Sequence, residues 1–228
     1  MWETVLGEYR QWLQASGKPP STVYLRCWQV RRFAEDHPGG YRVSTAQLAT
    51  WLGGHGWSPA TLASNRATFR GFFGWLVAAG HARTNPALAL PPVKVNRRAP
   101  RPAPEWVLAE ARGDDRTALM LALAGRQGLR RAEGAAIHSR DIVAEDGGWS
   151  LVVHGKGDKD RTVPLLPDVA AALRARGPGW IFPNGNGGHL SPNRVGVLIA
   201  EALPEGWTAH SLRRRFATRV YVATHDLQ

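Results

Sequence analysis

The run Pro91-Pro92-Val93-Lys94-Val95-Asn96-Arg97-Arg98-Ala99-Pro100-Arg101-Pro102-Ala103-Pro104 holds five prolines and no acid, so neither a helix nor a central strand can pass through it. It divides the 228-residue chain into two parts, each of which must build its own core. Residues 91–104 are therefore expected to form an extended linker. Its four cations suit a strap lying along phosphates, and equally a solvated hinge.

Residues 1–90 read as a helical domain. Trp2, Val5, Leu6, Tyr9, Trp12 and Leu13 recur at spacings that draw one apolar stripe over Trp2–Ala15. After Gly17-Lys18-Pro19-Pro20, Ser21 is the expected N-cap of a second helix reaching about Glu35. Ser44 or Thr45 can cap a third ending near Gly53, and Ser58 followed by Pro59 opens a fourth. In that fourth helix Leu62, Phe69, Phe72, Phe73, Leu76 and Val77 repeat at helical spacing, which marks them as core rather than a base-stacking platform. Beyond the linker, helical patterns cover about 105–112 and 116–125, alternating stretches 149–154 and 161–165 form a hairpin, and further helices open at Pro167, Pro192 and Ser211. The expected class is mainly α with a small antiparallel sheet: a helical domain over 1–90 and an α+β domain over 105–228.

A formal charge of +11 calls for a polyanion, most simply nucleic acid. The charge is +5 in residues 1–90, +4 in the linker and +2 beyond it, so the first domain and the strap are expected to hold the DNA backbone. Arg66, Arg70, Lys94, Arg97, Arg98 and Arg101 are the candidate contacts there. The lone Cys27 permits no internal disulfide, no apolar signal segment follows Met1, and no apolar run could cross a bilayer. A soluble cytoplasmic protein without a membrane partner is expected. His37, His55, His81, His138, His154, His189 and His225 are scattered without metal-ligand spacing, so neither metal nor cofactor is expected.

Three clusters carry the chemistry: Gly128-Leu129-Arg130-Arg131-Ala132-Glu133, then Gly155-Lys156-Gly157-Asp158-Lys159-Asp160-Arg161, then His210-Ser211-Leu212-Arg213. Each alone is weak. An Arg-x-x-Glu is usually a surface ion pair, and a Gly-Lys-Gly turn is usually only a hairpin. In this order, on a helix, a β-turn and a helix, they resemble the phage integrase family of tyrosine recombinases over essentially the whole chain. The resemblance implies a core-binding domain, a basic linker and a catalytic domain that breaks and rejoins DNA through a 3′-phosphotyrosyl intermediate. Arg130 and Arg213 would clamp the non-bridging phosphate oxygens, since forked guanidiniums can stabilise the charge developing at a five-coordinate phosphorus. Lys156 would be the general acid for the leaving 5′ oxygen, and His210 would handle the nucleophile's proton or bind the phosphate. Glu133 would orient the site, and Lys159, Arg161 and Arg214 would touch DNA. The implied partner is duplex DNA at a specific recombination site, within a tetrameric synaptic assembly in a bacterial cell that received the gene from a phage or mobile element.

Two features depart from the family pattern. Arg214 and Arg215 stand where a histidine often follows the second arginine, which is expected to add charge near DNA. Only fifteen residues follow Arg213, without a Leu-Gly-His motif or a tyrosine one helix further on. Tyr221 shares the helix of Arg213 and is expected to be packed rather than nucleophilic, so these residues are expected to bind DNA without covalent cleavage. A DNA-binding competitor with a decayed site, and a type IB topoisomerase-like enzyme, are the alternatives. Intact Arg130, Lys156, His210 and Arg213 disfavour the first, and the compact two-domain layout disfavours the second.

Overall fold

In the computed structural model, residues 1–96, 99, 101–155 and 160–225 are described. The chain separates into two compact units, Met1–Arg98 and Ala99–Gln228.

The first unit contains α1 (Trp2–Ala15), α2 (Pro20–Asp36), α3 (Thr45–Gly53) and α4 (Pro59–Ala78). Ser44 and Gln47 close a reciprocal capping box at the start of α3, and Ser58 Oγ accepts the Thr61 N–H at the start of α4. The expected cap at Ser21 is corrected: α2 begins at Pro20 with Pro19 as N-cap, because a proline at the first helical position has its φ already set and needs no N–H partner. Phe33 is the hub of the core, edge-on to Trp51 at 5.0 Å and to Phe69 at 5.1 Å between ring centroids. The apolar face of α4 is buried at Phe69, Phe72, Phe73 and Leu76, but Trp75 joins it in place of Val77, which is 37% exposed.

The second unit contains α5 (Glu105–Ala109), α6 (Asp115–Gly125), α7 (Arg131–Ala135), a 3₁₀ turn (Ser139–Asp141), β1 (Ile142–Glu145), β2 (Gly148–His154), β3 (Asp160–Pro164), α8 (Pro167–Arg174), α9 (Pro192–Ala202) and α10 (Ala209–Thr224). The class is mainly α with a small antiparallel sheet, in the order β1-β2-β3. The hairpin expected at 149–165 is present, with Val153 opposite Arg161 and His154 opposite Asp160. Strand β1 was not expected; four residues are too few to show alternation, and only the Asp146-Gly147 turn, with Gly147 at φ 92°, announces it. The last helix starts at Ala209 rather than Ser211, because Thr208 is the N-cap and the Ser211 hydroxyl reaches back to the Thr208 N–H at 2.8 Å. Helix α6, with Leu119, Met120 and Leu123 buried, runs through the core and packs against α10, whose Leu212 is fully buried.

Candidate active site

The site is built on three backbone features of the second unit. Gly128 takes a left-handed conformation, φ 66°, and turns the chain out of α6. Two residues later Arg130 occupies the N-cap of α7, so its guanidinium projects from a helix start rather than from a helix face. Arg213 lies one turn into α10, with His210 three residues before it on the same side.

Glu133 joins these elements. Its side chain is only 5% exposed, and it accepts from the Arg130 backbone N at 2.7 Å and from Arg130 Nη1 at 2.7 Å. Arg161, on β3, meets the same carboxylate in a fork, Nη1 at 2.9 Å and Nη2 at 2.8 Å. Arg213 Nη1 lies 3.7 Å from Glu133 Oε2 and donates to the Gly128 carbonyl. Burial pushes the Glu133 carboxyl up, but the hydrogen bonds from Arg161 and Arg130 outweigh it and hold the group down at about 2. One anion thus braces three arginines drawn from α7, β3 and α10.

Arg130 and Arg213 line a cavity of about 570 Å³ together with Arg131, His210 and the backbone-rich segments at Leu129, Gly196 and Thr208. Burial, and secondarily repulsion from Arg130, lowers the Arg213 guanidinium below its ordinary value. His210 is also lowered, by burial and then by Arg214, Arg213 and Arg131, which favours its neutral imidazole. A concave surface with three guanidiniums and a neutral imidazole can bind a phosphodiester and exchange a proton beside it.

Other expected residues are placed differently. Lys156 and Lys159 lie outside the described residues, as do Arg97 and Arg98. On the strand residues flanking the stretch with both lysines, His154 Nδ1 pairs with Asp160 Oδ1 at 2.9 Å and its Nε2 lies 3.4 Å from Asp141 Oδ1. Hydrogen bonds to Asp160 and then Asp141 raise the His154 imidazole above its ordinary value. Arg161 is committed to Glu133, a role its DNA-contact assignment missed. Arg66 donates twice to the Leu90 carbonyl and Arg70 once to that of Leu88, so both brace the segment after α4. Lys94 is exposed, whereas the Arg101 guanidinium stacks 4.1 Å from the Trp207 ring centroid. Arg214 is half-buried. Arg215, expected to add charge near DNA, is buried and paired with Glu105 across 110 residues of sequence. Tyr221 is not packed either, being 44% exposed with its ring edge-on to His225.

The sequence reading also missed Arg131, whose Nη1 would lie 3.1 Å from a Cβ at Gly196. The Arg-Arg pair was its only signal, and Gly196 of α9 leaves the room its guanidinium uses. A second cavity, about 610 Å³ beside Arg42, His81 and Arg83 in the first unit, contains none of the expected residues. Among the described residues no cluster of three His, Cys, Asp or Glu side chains could hold a metal, and no helix is long and apolar enough to cross a membrane.

Residues 107–228 match the model of the phage integrase family. The chain is 32% identical to tyrosine recombinase XerC of Methylobacterium sp. (strain 4-46), over 92% of its own length and 69% of that protein. In structure it resembles lambda integrase (residues 75–356) bound to DNA, with a TM-score of 0.73 at 20% identity over 98% of this chain and 87% of that one. It also resembles a lambda integrase tetramer bound to a Holliday junction, with a TM-score of 0.70 at 22% identity over 97% of this chain and 73% of that one. At such identities these likenesses speak to the fold alone.

Proposed function

Since the chain belongs to the phage integrase family, we propose that it is a tyrosine-type site-specific recombinase whose second unit grips one DNA phosphodiester between Arg130 and Arg213. The observation that carries this reading is the convergence of those arginines, distant in sequence, with His210 on one cavity, braced by the shared Glu133 carboxylate. Attack on the phosphorus adds charge to the non-bridging oxygens, and preorganised guanidiniums stabilise that charge without having to move. A neutral His210 at the same cavity can take the proton of an incoming hydroxyl or donate a hydrogen bond to the phosphate. Lys156, on the β2–β3 turn, is proposed to protonate the leaving 5′ oxygen.

The first unit and the basic residues of 91–104 are proposed to hold the backbone of duplex DNA at a recombination site, with Lys94, Arg97 and Arg98 as the strap contacts. A tetramer on DNA is the proposed assembly, by analogy with the lambda integrase tetramer on a Holliday junction. The setting is proposed to be the bacterial cytoplasm, and the origin a phage or other mobile element.

Within residues 1–228 the nucleophile is the open step. Tyr9, Tyr24 and Tyr41 belong to the first unit, and Tyr221 is eight residues past Arg213, about 12 Å along α10. These residues are therefore proposed to bind duplex DNA without forming a covalent adduct. The test is incubation with end-labelled, nicked duplexes carrying the recombination site, followed by denaturing electrophoresis. Binding by mobility shift without a covalent band is expected. A covalent band that Tyr221→Phe removes would show that α10 supplies the nucleophile, and failure to bind duplex DNA would overturn the reading.

A further inference from the structure

Gly128 and Phe216 meet where the two phosphate-facing arginines are joined through the backbone. A Cβ at position 128 would lie 2.8 Å from Phe216 Cγ and 2.5 Å from Cε1, with Cδ1 closer still. The ring therefore fills the space that any side chain at 128 would need. A left-handed φ alone could be met by Asn or Asp, but the ring restricts the position to glycine. The Gly128 carbonyl, in turn, accepts from Arg213 Nη1.

Arg213 and Phe216 are three residues apart on α10, so they share one face. One turn of that helix thus holds residue 128 twice, by a ring against its Cα and by a guanidinium on its carbonyl. The next residue, Leu129, is buried and donates its N–H to the Leu123 carbonyl at 2.9 Å. Arg130 follows, fixed by Glu133 at both backbone and side chain. Two cations facing one phosphate repel each other, so their separation must be set by something other than mutual contact. The three-residue segment 128–130 joins them, held at one end by α10 and at the other by Glu133, which also lies beside both guanidiniums.

From this geometry we infer that Gly128 and Phe216 are positioning residues that set the spacing of the Arg130 and Arg213 guanidiniums. The inference rests on the reading of that pair as a phosphate clamp. It concerns placement rather than contact with substrate, so its test must separate placement from stability.

The experiment uses the full chain labelled with ¹⁵N-arginine, the side-chain Nε–H signals of Arg130 and Arg213 assigned by substitution, and inorganic phosphate as the probe. In the parent chain both signals should move with a common dissociation constant. Gly128→Ala, which forces the 128 peptide away from the ring, should weaken that constant about tenfold or more. Phe216→Ala removes Cγ, Cδ1 and Cε1, so the double variant Gly128→Ala/Phe216→Ala should regain most of the lost affinity. It should nevertheless melt lower than Gly128→Ala alone, because it also loses a packed ring. Opposite movement of affinity and melting temperature is the signature of positioning. Affinity that follows stability across the parent and the three variants, or that is unchanged by Gly128→Ala, overturns the inference. If Gly128→Ala does not fold, the double variant decides: an affinity near the parent's at a lower melting temperature supports the inference, and an affinity lost in step with the melting temperature overturns it. Should neither signal move in the parent chain, the clamp itself is refuted and the positioning role with it.

Discussion

Replacing Glu133 by Gln should remove a pH-dependent part of this protein's stability. The amide keeps the shape of the carboxylate but carries no charge, and its NH₂ end must face a guanidinium donor. Lowering a carboxyl from 4.5 to about 2 is worth at most about 3 kcal/mol at neutral pH. The Arg130, Arg161 and Arg213 guanidiniums are partly open to water, which screens the pair, and about 2 kcal/mol is the expected loss. The sign follows from the depressed folded value: the contribution is full above the unfolded pKa near 4.5 and fades as pH falls towards 2. Urea unfolding of parent and Glu133→Gln at several pH values from 7 to 3 would measure it. The difference between them should fall by roughly half or more by pH 3. A difference that stays constant across that range would mean that Glu133 acts through shape or packing, and the shared-anion account of the site would fail.

Arg130→Ala and Arg213→Ala, in a chain able to cleave, should each abolish cleavage. Arg213→Ala should also cost about 1 kcal/mol in urea unfolding through the lost Gly128 contact, and a stability equal to the parent's would contradict that contact. Changing Lys94, Arg97 and Arg98 to Gln should lower the slope of log K against log salt by up to about 0.9 for each lost phosphate contact, as read by fluorescence anisotropy. Arg101→Gln should leave that slope alone and cost about 0.5–1 kcal/mol of stability, because its guanidinium lies on Trp207. The raised His154 imidazole stabilises the fold below its unfolded value near 6.5 and loses that contribution as pH rises through its folded value. Amide exchange in β2 and β3, corrected for the intrinsic pH effect, should accordingly be slower at pH 6 than at pH 8, and His154→Gln should erase the difference.

What could be read in the sequence was what short-range chemistry writes there. Pro59, Pro167 and Pro192 each stand at the first position of a helix, and the apolar spacing of α1 and α4 forecast their buried faces. The arginines and histidine of the site were legible as three motifs, but their connections were not. Glu133 and Arg161 are 28 residues apart, and Arg215 and Glu105 are 110 apart, so nothing local distinguishes a guanidinium bound to a carboxylate from one free for phosphate. Nor could sequence show that Arg66 and Arg70, expected on DNA, also donate to carbonyls of the following loop. At Ser21 the error was local: two adjacent helix-starting signals competed, and the proline prevailed.

The attachment of residues 101–105 to the second unit bears on where this chain can be divided for expression. Its proline-rich run invites a cut after Pro104, which would leave the second unit beginning at Glu105. Such a fragment would lose Ala103, which is buried and donates its N–H to the Ser211 carbonyl, and Arg101, which covers Trp207. It would therefore expose a tryptophan and lose a backbone hydrogen bond onto the first turn of α10, the turn that presents His210. A fragment starting at Ala99 keeps both contacts, and the six residues 99–104 between the two cut points would separate a soluble fragment from an aggregating one.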